Sequence, residues 1–388
     1  MVSSGYYPNY NGGVEVITRE LSEGLVARGH DVCVIYSSNE DFEYTLNGVK
    51  VISISPRGFP KIKMFHFFNR LLQLYNPFNI RKFKKIFQEF KPDIVHLHMA
   101  RALSLSILKV ALDLNIKTIS TLHEYFSLWN FNPFSGMEYI KVSKAPFYLF
   151  PLRQIQRQLT AKVNYVTAPI EDIIQKYHDE GYYRDVPTMV ISNALRNEVN
   201  NACEKNFTLK FKFLILSRLM PFKGIELSLK SFHNLKNDNV ELHIAGSGYL
   251  DKLVLEYQVK DKRIFYHGFV MGEEKEELLK NCNCLLFVVD DLETFGLTAL
   301  EALQHGMPVI ASNVLATSKL ISNNVDGYVV HNKTQNELIK AMEKMISSKN
   351  YENMSKQCIK KSREFDYKNM IDNYLSLYHE VLGDDSCE

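Results

Sequence analysis

The chain has 388 residues, of which 46% are hydrophobic and 23% are charged, and its formal net charge at pH 7 is +2. This composition excludes an intrinsically disordered protein, and the length exceeds what one ordinary hydrophobic core needs, so we expect two domains. The charge is unevenly spread, because residues 1–195 are net basic and the remainder is net acidic.

The cysteines and the apolar segments indicate a cytoplasmic protein. The six cysteines are scattered without the paired spacing of a zinc site, and no secretory signal precedes them. We interpret Cys282 and Cys284 as inert core thiols, because they border an apolar run. No apolar stretch approaches the roughly 20 residues that span a bilayer, so we expect at most peripheral contact with the inner face of a membrane.

Apolar runs alternate with amphipathic segments along the whole chain. Met1–Ser4 has the pattern of a strand cut short, so we expect the natural start to lie upstream. In the first half, strands are predicted at 31–36, 93–98 and 117–122, with helices at 14–28 and 103–114. After residue 193 the pattern restarts, with strands at 212–217, 240–245, 264–267, 284–289 and 308–311 and helices at 225–235, 273–282 and 297–305.

Apolar strands that alternate with helices indicate parallel sheets covered on both faces. We therefore predict an α/β protein with two doubly wound halves, residues 1–195 and 196–366, and a hinge near Asn193. A last helix, at about 367–388, is expected to pack back on the first half. Ligands of such sheets bind at the carboxyl ends of the strands, so the predicted site is the cleft between the two domains.

A pair of glutamates brackets a helix start in the second half. Glu293 follows an apolar strand, and Phe295, Gly296 and Leu297 lead into a helix whose first N–H groups attract an anion. Glu301 lies about 12 Å further along that helix. The two carboxylates are thus spaced to accept hydrogen bonds from hydroxyls at both ends of a sugar nucleotide. The alternative is a surface acid beside an unrelated helix acid.

Two cations, Arg218 and Lys223, lie between a predicted strand and a predicted helix. Together they would stabilise a diphosphate leaving group, which is the main task in breaking a glycosyl-phosphate bond. The alternative is two solvated charges in a turn.

Glycines and one histidine follow other predicted strands. Gly12 and Gly13 resemble a phosphate loop only loosely, and the turn at Gly246 lacks the third glycine of the dinucleotide fingerprint, which disfavours nicotinamide binding.

His123 follows a strand of the first half and is predicted to hydrogen-bond a sugar hydroxyl, the alternative being a structural histidine.

Two segments of the basic half combine cations with aromatic residues. Residues 57–91 hold nine Lys or Arg and nine Phe or Tyr with one acid, and residues 139–162 hold five cations and no acid. These segments predict contact with an anionic membrane surface. The alternative is that four apolar residues belong to the core, Phe83, Ile86, Phe87 and Phe90, and that the cations are solvated. Nucleic acid is not an expected partner, because no recognition motif accompanies the charge.

Together these residues resemble the family 4 retaining glycosyltransferases, whose GT-B fold consists of two facing Rossmann-like domains with an interdomain cleft. The resemblance covers nearly the whole chain. It rests on a segment at 8–36 that looks like the family's Pro-x-x-Gly-Gly opening, an Arg-Leu-x-x-x-Lys-Gly segment at 216–224, a Glu-x7-Glu element at 293–310, and His123, Gly246 and 326–330 in the expected order. Residues 314–319 lack the Gly-Gly-x-x-Glu of many relatives, a difference expected to bear on donor-sugar or acceptor specificity.

The resemblance implies a role for each motif. Arg218 and Lys223 would bind the donor diphosphate, Glu293 the donor-sugar hydroxyls and Glu301 the ribose. His123 and Glu293 are the implied catalytic residues. Further donor contacts are implied at Gly12, Gly13, Gly246, Phe269, Val270, Phe295, Gly296 and Leu297.

The implied reaction is retaining transfer of a hexose or N-acetylhexosamine from a nucleotide diphosphate sugar, with uridine the expected base, to a glycan or lipid-linked acceptor in surface polysaccharide synthesis. No metal or other cofactor is expected, because Asp290 and Asp291 lack the accompanying ligands of a Mg²⁺ site. The alternatives are a GDP-mannose-dependent mannosyltransferase, a non-catalytic partner subunit that binds the nucleotide sugar, and a relative that performs phosphorolysis or 2-epimerisation.

Overall fold

The computed structural model describes residues 1–8, 12–59, 66–100, 103–125, 129–131, 139–141, 149–196 and 210–383. The chain divides into two compact units, Met1–Ala194 with Tyr367–Glu388, and Leu195–Asp366. Both units are built from strands and helices in alternation, so the predicted α/β class is confirmed. Parts of the two basic segments, residues 60–65 and 142–148, lie outside the described residues.

The first unit alternates strands and helices around one main sheet. Its strands are β1 (Cys33–Ser37), β2 (Phe42–Leu46), β3 (Val49–Ile54), β4 (Ile94–Leu97), β5 (Lys117–Thr121), β6 (Trp129–Phe131), β7 (Tyr139–Lys141), β8 (Tyr165–Ala168) and β9 (Thr188–Val190). Its helices up to residue 194 are α1 (Gly13–Val26), α2 (His66–Leu74), α3 (Ile80–Phe90), α4 (Ser106–Asp113), α5 (Phe150–Thr160) and α6 (Glu171–Asp179).

Met1–Ser3 completes the sheet of the first unit. Its strands pair in the orders β2-β3-β1 and β4-β5-β8-β9, and β6 and β7 form a separate hairpin. Val2 bridges Ile35 of β1 and Leu97 of β4 and so joins the two groups. With Val2 as the first strand, the parallel strands have a doubly wound order that reverses between Val2 and β4.

The second unit repeats this plan with a fully parallel sheet. Its strands are β10 (Phe211–Leu216), β11 (Val240–Ala245), β12 (Ile264–Gly268), β13 (Cys284–Phe287), β14 (Val309–Ser312) and β15 (Gly327–Val330). Its helices are α7 (Ile225–His233), α8 (Asp251–Lys260), α9 (Gly272–Asn281), α10 (Leu297–Gln304), α11 (Leu315–Ser318), α12 (Gln335–Ile346) and α13 (Tyr351–Ser362). The strand order β12-β11-β10-β13-β14-β15 places the topological switch point between β10 and β13.

The core of the second unit holds the strand ends in place. Phe213 and Leu242 from the sheet pack with Phe232 of α7, and all three are fully buried. Each such side chain contributes about 1.5–3 kcal/mol through burial. Cys282 and Cys284 are buried too, and burial raises the pKa of the Cys284 thiol.

The last helix, α14 (Tyr367–Leu382), belongs to the first unit. Ile371 and Tyr374 are buried there, and the Tyr367 hydroxyl donates to the Glu20 carbonyl of α1 at 2.9 Å. The chain therefore returns to its first unit after completing the second.

Candidate active site

Two loops meet at the switch point of the second sheet, one after β10 and one after β13. The Asp290 N–H of the second loop donates to the Phe222 carbonyl of the first at 2.9 Å. Gly224 has a φ of +65°, and a Cβ there would lie 1.8 Å from the Val288 carbonyl oxygen. Only glycine permits this approach, so the loops form one continuous surface at the carboxyl ends of the two strands.

Lys223 and Glu293 form an ion pair on this surface. Nζ of Lys223 donates to Oε2 of Glu293, and the two side chains are 14% and 13% exposed. The N–H groups of Thr294 and Phe295 also donate to the carboxylate. Burial by itself raises the pKa of a carboxyl, but the Lys223 charge and these hydrogen bonds outweigh it, so the pKa of Glu293 lies below its ordinary value. Glu293 is therefore ionised at neutral pH.

Helix α10 begins immediately after this pair. Gly296 precedes it in a left-handed conformation, with a φ of 94°, and Leu297 is half-buried. The Phe295 ring is buried and packs edge-on against Phe365, with 5.7 Å between the ring centroids. The Phe295 side chain therefore belongs to the core, and its backbone is what a ligand would meet at the positive end of the helix dipole.

Arg218 lies on the same loop as Lys223. Its side chain is exposed at the carboxyl end of β10. Gly246, at the end of the neighbouring β11, has a φ of +134°, and a Cβ there would lie 1.8 Å from the Ser217 carbonyl oxygen. Because glycine has no side chain, β11 can end directly beside the loop that carries Arg218 and Lys223.

Phe269 and Val270 follow β12, the next strand along the sheet. The Phe269 ring is exposed, whereas Val270 is buried. Apart from Gly12 and Gly13 of the first unit, the residues predicted to bind the donor thus follow four successive strands, β12, β11, β10 and β13, or lie on the helix after the last of them.

Glu301 is paired with a residue that sequence reasoning did not single out. Lys275 of α9 donates from Nζ to Oε1 of Glu301 at 2.5 Å. The adjacent Glu276 lies 3.0 Å, by its Oε2 atom, from Nε2 of His305. Helix α9 is therefore joined by one side-chain pair to α10 and by a second to the residue that follows α10. No local signal marks Lys275, because it is one charge in a helix rich in charges.

In the first unit, α1 begins at the predicted glycine pair. Gly13 is its first residue and Gly12 precedes it. The Ser4 hydroxyl donates to the Glu15 carboxylate, and Oε2 of Glu15 lies 3.1 Å from where a Cβ of Gly12 would be. A carboxylate thus lies at the helix N-terminus where the resemblance implies contact with a ligand.

His123 lies after β5 in a buried polar network. Its Nε2 is 2.9 Å from Nδ1 of His98. In the adjacent His96, Nδ1 is 2.7 Å from the Tyr378 hydroxyl of α14 and Nε2 is 2.6 Å from the Thr121 hydroxyl. Burial lowers the pKa of all three histidines, that of His123 to about 3. His123 is therefore a neutral hydrogen-bonding group at pH 7. Sequence reasoning missed both His96 and His98, which lie two residues apart on the apolar strand predicted at 93–98.

The acidic pair Asp290 and Asp291 lies on the surface of the β13 loop. Oδ1 of Asp290 accepts from Nζ of Lys333 at 2.9 Å. Among the residues that the structure describes, no three His, Cys, Asp or Glu side chains are placed to hold a metal ion.

The structure corrects part of the predicted membrane surface. Phe83, Ile86 and Phe87 of α3 are buried, because the apolar side of this amphipathic helix covers the core of the first unit. In the second basic segment, Arg153 is buried. These residues cannot face a lipid surface. Over the described ranges, no helix is both long and apolar enough to cross a bilayer.

Two family models match the chain in succession. Residues 11–198 match a model described as Glycosyltransferase Family 4, and residues 200–365 match one described as Glycosyl transferases group 1. The first match lies mainly in the first unit and the second lies within the second unit.

Similar proteins are found among sequences and solved structures. The chain is 25% identical over 359 residues to an uncharacterized glycosyltransferase of Methanocaldococcus jannaschii, covering 89% of this chain and 88% of that protein. It is 26% identical over 396 residues to the alpha-monoglucosyldiacylglycerol synthase of Streptococcus pneumoniae, covering 95% and 85%. The structure of Anabaena HepE in complex with UDP and glucose matches with a TM-score of 0.73 and 14% identity over 98% of each chain, a likeness of fold.

Proposed function

The chain belongs to the family 4 glycosyltransferases and has the GT-B fold, and we propose that it transfers a hexose or N-acetylhexosamine from a UDP-sugar to a glycan or lipid-linked acceptor, with retention of anomeric configuration. The observation that carries this proposal is the pairing of Lys223 with Glu293 at the switch point of the second sheet. An ammonium and a carboxylate held together there suit the two neighbouring parts of a sugar nucleotide, its diphosphate and its sugar hydroxyls.

The two cations of the β10 loop are assigned to the diphosphate. When the bond between the anomeric carbon and the phosphate oxygen breaks, negative charge develops on that oxygen. Arg218 and Lys223 stabilise this charge, and the first N–H groups of α10 add a favourable dipole. Because Lys223 also pairs with Glu293, the phosphate and the carboxylate share one ammonium group.

The glutamates are assigned to hydroxyl groups of the donor. Glu293 is ionised at neutral pH, so it accepts hydrogen bonds from the sugar. Glu301 accepts from the ribose, and its ion pair with Lys275 restricts the carboxylate to one orientation.

Retention requires no nucleophilic side chain in this proposal. The acceptor hydroxyl attacks on the face from which the phosphate departs, and the leaving phosphate oxygen takes its proton. Neutral His123 either donates a hydrogen bond to a hydroxyl of the transferred sugar or accepts one from it. We also propose that transfer needs no metal ion, because Arg218 and Lys223 supply positive charge to the diphosphate.

The comparisons support the finer parts of the proposal. UDP and glucose are the ligands of the Anabaena structure that shares this fold, and the name of the pneumococcal relative specifies a glucosylated diacylglycerol. We therefore favour a UDP-sugar donor and a lipid-linked or glycan acceptor used in the cytoplasm for surface polysaccharide synthesis.

Thermal denaturation of the full chain with UDP, GDP, ADP and dTDP, each with and without EDTA, tests the donor. A nucleotide at 100 times its Kd stabilises the folded protein by about 2.7 kcal/mol. We expect stabilisation by UDP that EDTA leaves unchanged. Stabilisation by GDP alone would favour the mannosyltransferase alternative, and loss of the UDP effect in EDTA would contradict metal independence.

Product analysis with the UDP-sugar that stabilises the protein tests the reaction. We expect a new glycosidic bond whose anomeric proton coupling shows the configuration of the donor. An inverted product would contradict retention. A Glu293→Gln enzyme as active as the parent would contradict the role assigned to Glu293, and a parent that binds the UDP-sugar but forms no product would favour the non-catalytic alternative.

A further inference from the structure

Two buried histidines of the first unit are joined ring to ring. His98 follows β4 and His123 follows the neighbouring strand β5, and Nδ1 of His98 lies 2.9 Å from Nε2 of His123. The rings are stacked, with 5.2 Å between their centroids and 19° between their planes. The residues are 4% and 5% exposed, in that order. A hydrogen bond shielded from water therefore connects the two side chains.

His98 lies where the strand order of the first sheet reverses. Its backbone N–H donates to the Val2 carbonyl at 2.9 Å, so the residue begins the loop at the carboxyl end of β4. Ligands of doubly wound sheets bind at such a switch point. His98 thus lies at the expected ligand edge of the first unit, where the proposed mechanism uses His123 and assigns His98 no role.

The third histidine of this network, His96, has hydrogen-bonding partners of its own. Its Nδ1 and Nε2 atoms lie 2.7 and 2.6 Å from the hydroxyls of Tyr378 and Thr121. Its ring packs against that of His98, with 4.1 Å between the centroids. Because both nitrogens of His96 are engaged by hydroxyls, the proton between His98 and His123 belongs to those two rings alone.

Both rings of the pair are neutral at pH 7, because burial lowers the pKa of each. A neutral imidazole has one N–H and one bare nitrogen. The bond therefore has two possible directions. Either Nδ1–H of His98 donates to Nε2 of His123, or Nε2–H of His123 donates to Nδ1 of His98. The direction determines which nitrogen of His123 carries a proton towards a ligand.

The Nε2 atom of His98 decides between these directions. It is buried, and none of the residues that the structure describes offers it a hydrogen-bond partner. If His123 were the donor, His98 would carry its proton on this nitrogen as a buried N–H without an acceptor. Such donors are rarer in proteins than incompletely satisfied acceptors. The proton of His98 is therefore on Nδ1, which leaves the proton of His123 on its own Nδ1.

We propose that His98 is a positioning residue of the transferase, which holds His123 in the tautomer protonated at Nδ1, so that His123 donates a hydrogen bond to a hydroxyl of the transferred sugar. A hydrogen bond at one nitrogen of a histidine sets the chemistry of the other. The proposal rests on the proposed function, in which His123 contacts that sugar. It adds a residue and a direction for the hydrogen bond.

Asparagine and glutamine distinguish the two nitrogens of His98, because their amide groups lie about where Nδ1 and Nε2 lie. His98→Asn can still donate to His123, whereas His98→Gln cannot. We expect His98→Gln to lower kcat about tenfold or more, and His98→Asn to stay within about threefold of the parent. The Kd for UDP should be that of the parent in both variants, because the nucleotide is assigned to the second unit.

His96→Gln is the matched control for lost stability. It removes the hydrogen bond to Tyr378 from the same buried network but none to His123. We expect a lower melting temperature with the kcat of the parent. Circular dichroism checks that all three variants are folded. An equal loss of kcat in His96→Gln and His98→Gln would overturn the proposal, since a general loss of packing would then explain both.

Nitrogen NMR of the full chain, isotope-labelled at its histidines, measures the tautomer without any activity. The N–H and the bare nitrogen of a neutral imidazole have well-separated chemical shifts, and the spectrum of His123→Gln identifies the His123 signals. We expect the proton of His123 on Nδ1 in the parent and in His98→Asn, and on both nitrogens in His98→Gln.

A parent whose His123 carries its proton on Nε2 overturns the proposal. An active parent matched in kcat by His98→Gln overturns it as well. If the parent transfers no sugar, the proposed function fails, and the NMR spectra still decide whether His98 sets the tautomer of His123.

Discussion

Lys223 has two functions in the proposed mechanism, since it orders Glu293 and stabilises the leaving diphosphate. We expect Lys223→Ala to lower kcat/KM about 30-fold or more, because a charge-assisted contact in the transition state is worth about 2 kcal/mol. Steady-state kinetics with the UDP-sugar measures the change. Lys260→Ala is the matched control, because this lysine is an exposed cation on α8 of the same unit. An equal loss in both variants, or none in Lys223→Ala, would contradict the assignment.

His123 makes stability depend on pH. Its pKa is about 3 in the folded protein because it is buried, whereas an unfolded histidine titrates near about 6.5. The unfolded chain therefore takes up a proton that the folded chain does not, and stability falls as the pH drops below about 6.5. Through this histidine, the free energy of unfolding at pH 5 is about 2 kcal/mol lower than at pH 8.

Urea denaturation of His123→Gln at both pH values checks this linkage. Between pH 8 and pH 5, the free energy of unfolding of the variant should fall by about 2 kcal/mol less than that of the parent. His30→Gln, at an exposed position, is the matched control, and its free energy of unfolding should change with pH as the parent's does. Identical pH dependence in the His123 variant and the parent would be evidence against a buried neutral histidine.

The motifs alone show the types of the site residues but not their partners. Lys223 can be recognised because it lies between a strand end and a glycine turn. Glu293 and Glu301 can be recognised because Glu293 follows a strand and Glu301 lies eight residues later. Their ion pairs, with Lys223 donating to Glu293 and Lys275 to Glu301, join residues on different elements. Local patterns carry no information on such pairs, because the sheet determines which loops are neighbours.

The helix α14 shows how one element stabilises a distant one. Tyr374 is buried in the first unit, and its hydroxyl lies 3.2 Å from that of Thr121 at the end of β5. We expect Tyr374→Ala to lower the free energy of unfolding by about 3–5 kcal/mol, through lost burial and the cavity left behind. Asp372→Ala, on the same helix, removes only an exposed ion pair with Arg28, so its effect should stay below about 1 kcal/mol.

Chemical denaturation with both variants tests the role of α14. Similar small effects would mean that this helix contributes little to the stability of the first unit.

The hairpin of β2 and β3 was not predicted, although the sequence carries a signal for it. Asn47 and Gly48 join the two strands with φ angles of 49° and 80°. An Asn-Gly pair between two strands of alternating apolar and polar residues is typical of a two-residue hairpin turn, because both turn positions require a positive φ. The helices at 225–235 and 297–305, in contrast, were predicted to within two residues at each end. Their apolar periodicity is local and strong.

For the whole molecule, donor binding should be localised at the strand ends of the second unit. We expect UDP to slow amide hydrogen exchange in the loops after β10 and β13, because these loops carry the cations and the first turn of α10. Hydrogen exchange of the full chain, measured with and without UDP, tests this. Protection confined to other segments would place the nucleotide elsewhere and contradict the assigned roles of Arg218 and Lys223.

The second unit starts at Leu195 and ends at Asp366. In the sequence, the strand–helix pattern stops and then starts again after residue 193. The strand order within each sheet is not visible in this way. It depends on which edge of the sheet each new strand joins, and that is decided by packing between residues far apart in the chain.

The amino-acid sequence by itself determined the α/β class, the succession of two doubly wound halves and the residue types at the strand ends, because these depend on short-range periodicity and turn chemistry. Tertiary structure alone decided that the loops after β10 and β13 adjoin, that Glu293 is held by Lys223, and that His123 is buried beside His98. It also decided that Phe83 and Phe87 are core residues while Phe59, Phe68 and Phe78 are exposed. Composition cannot distinguish these groups of phenylalanines, because burial depends on what packs against each ring once the chain has folded.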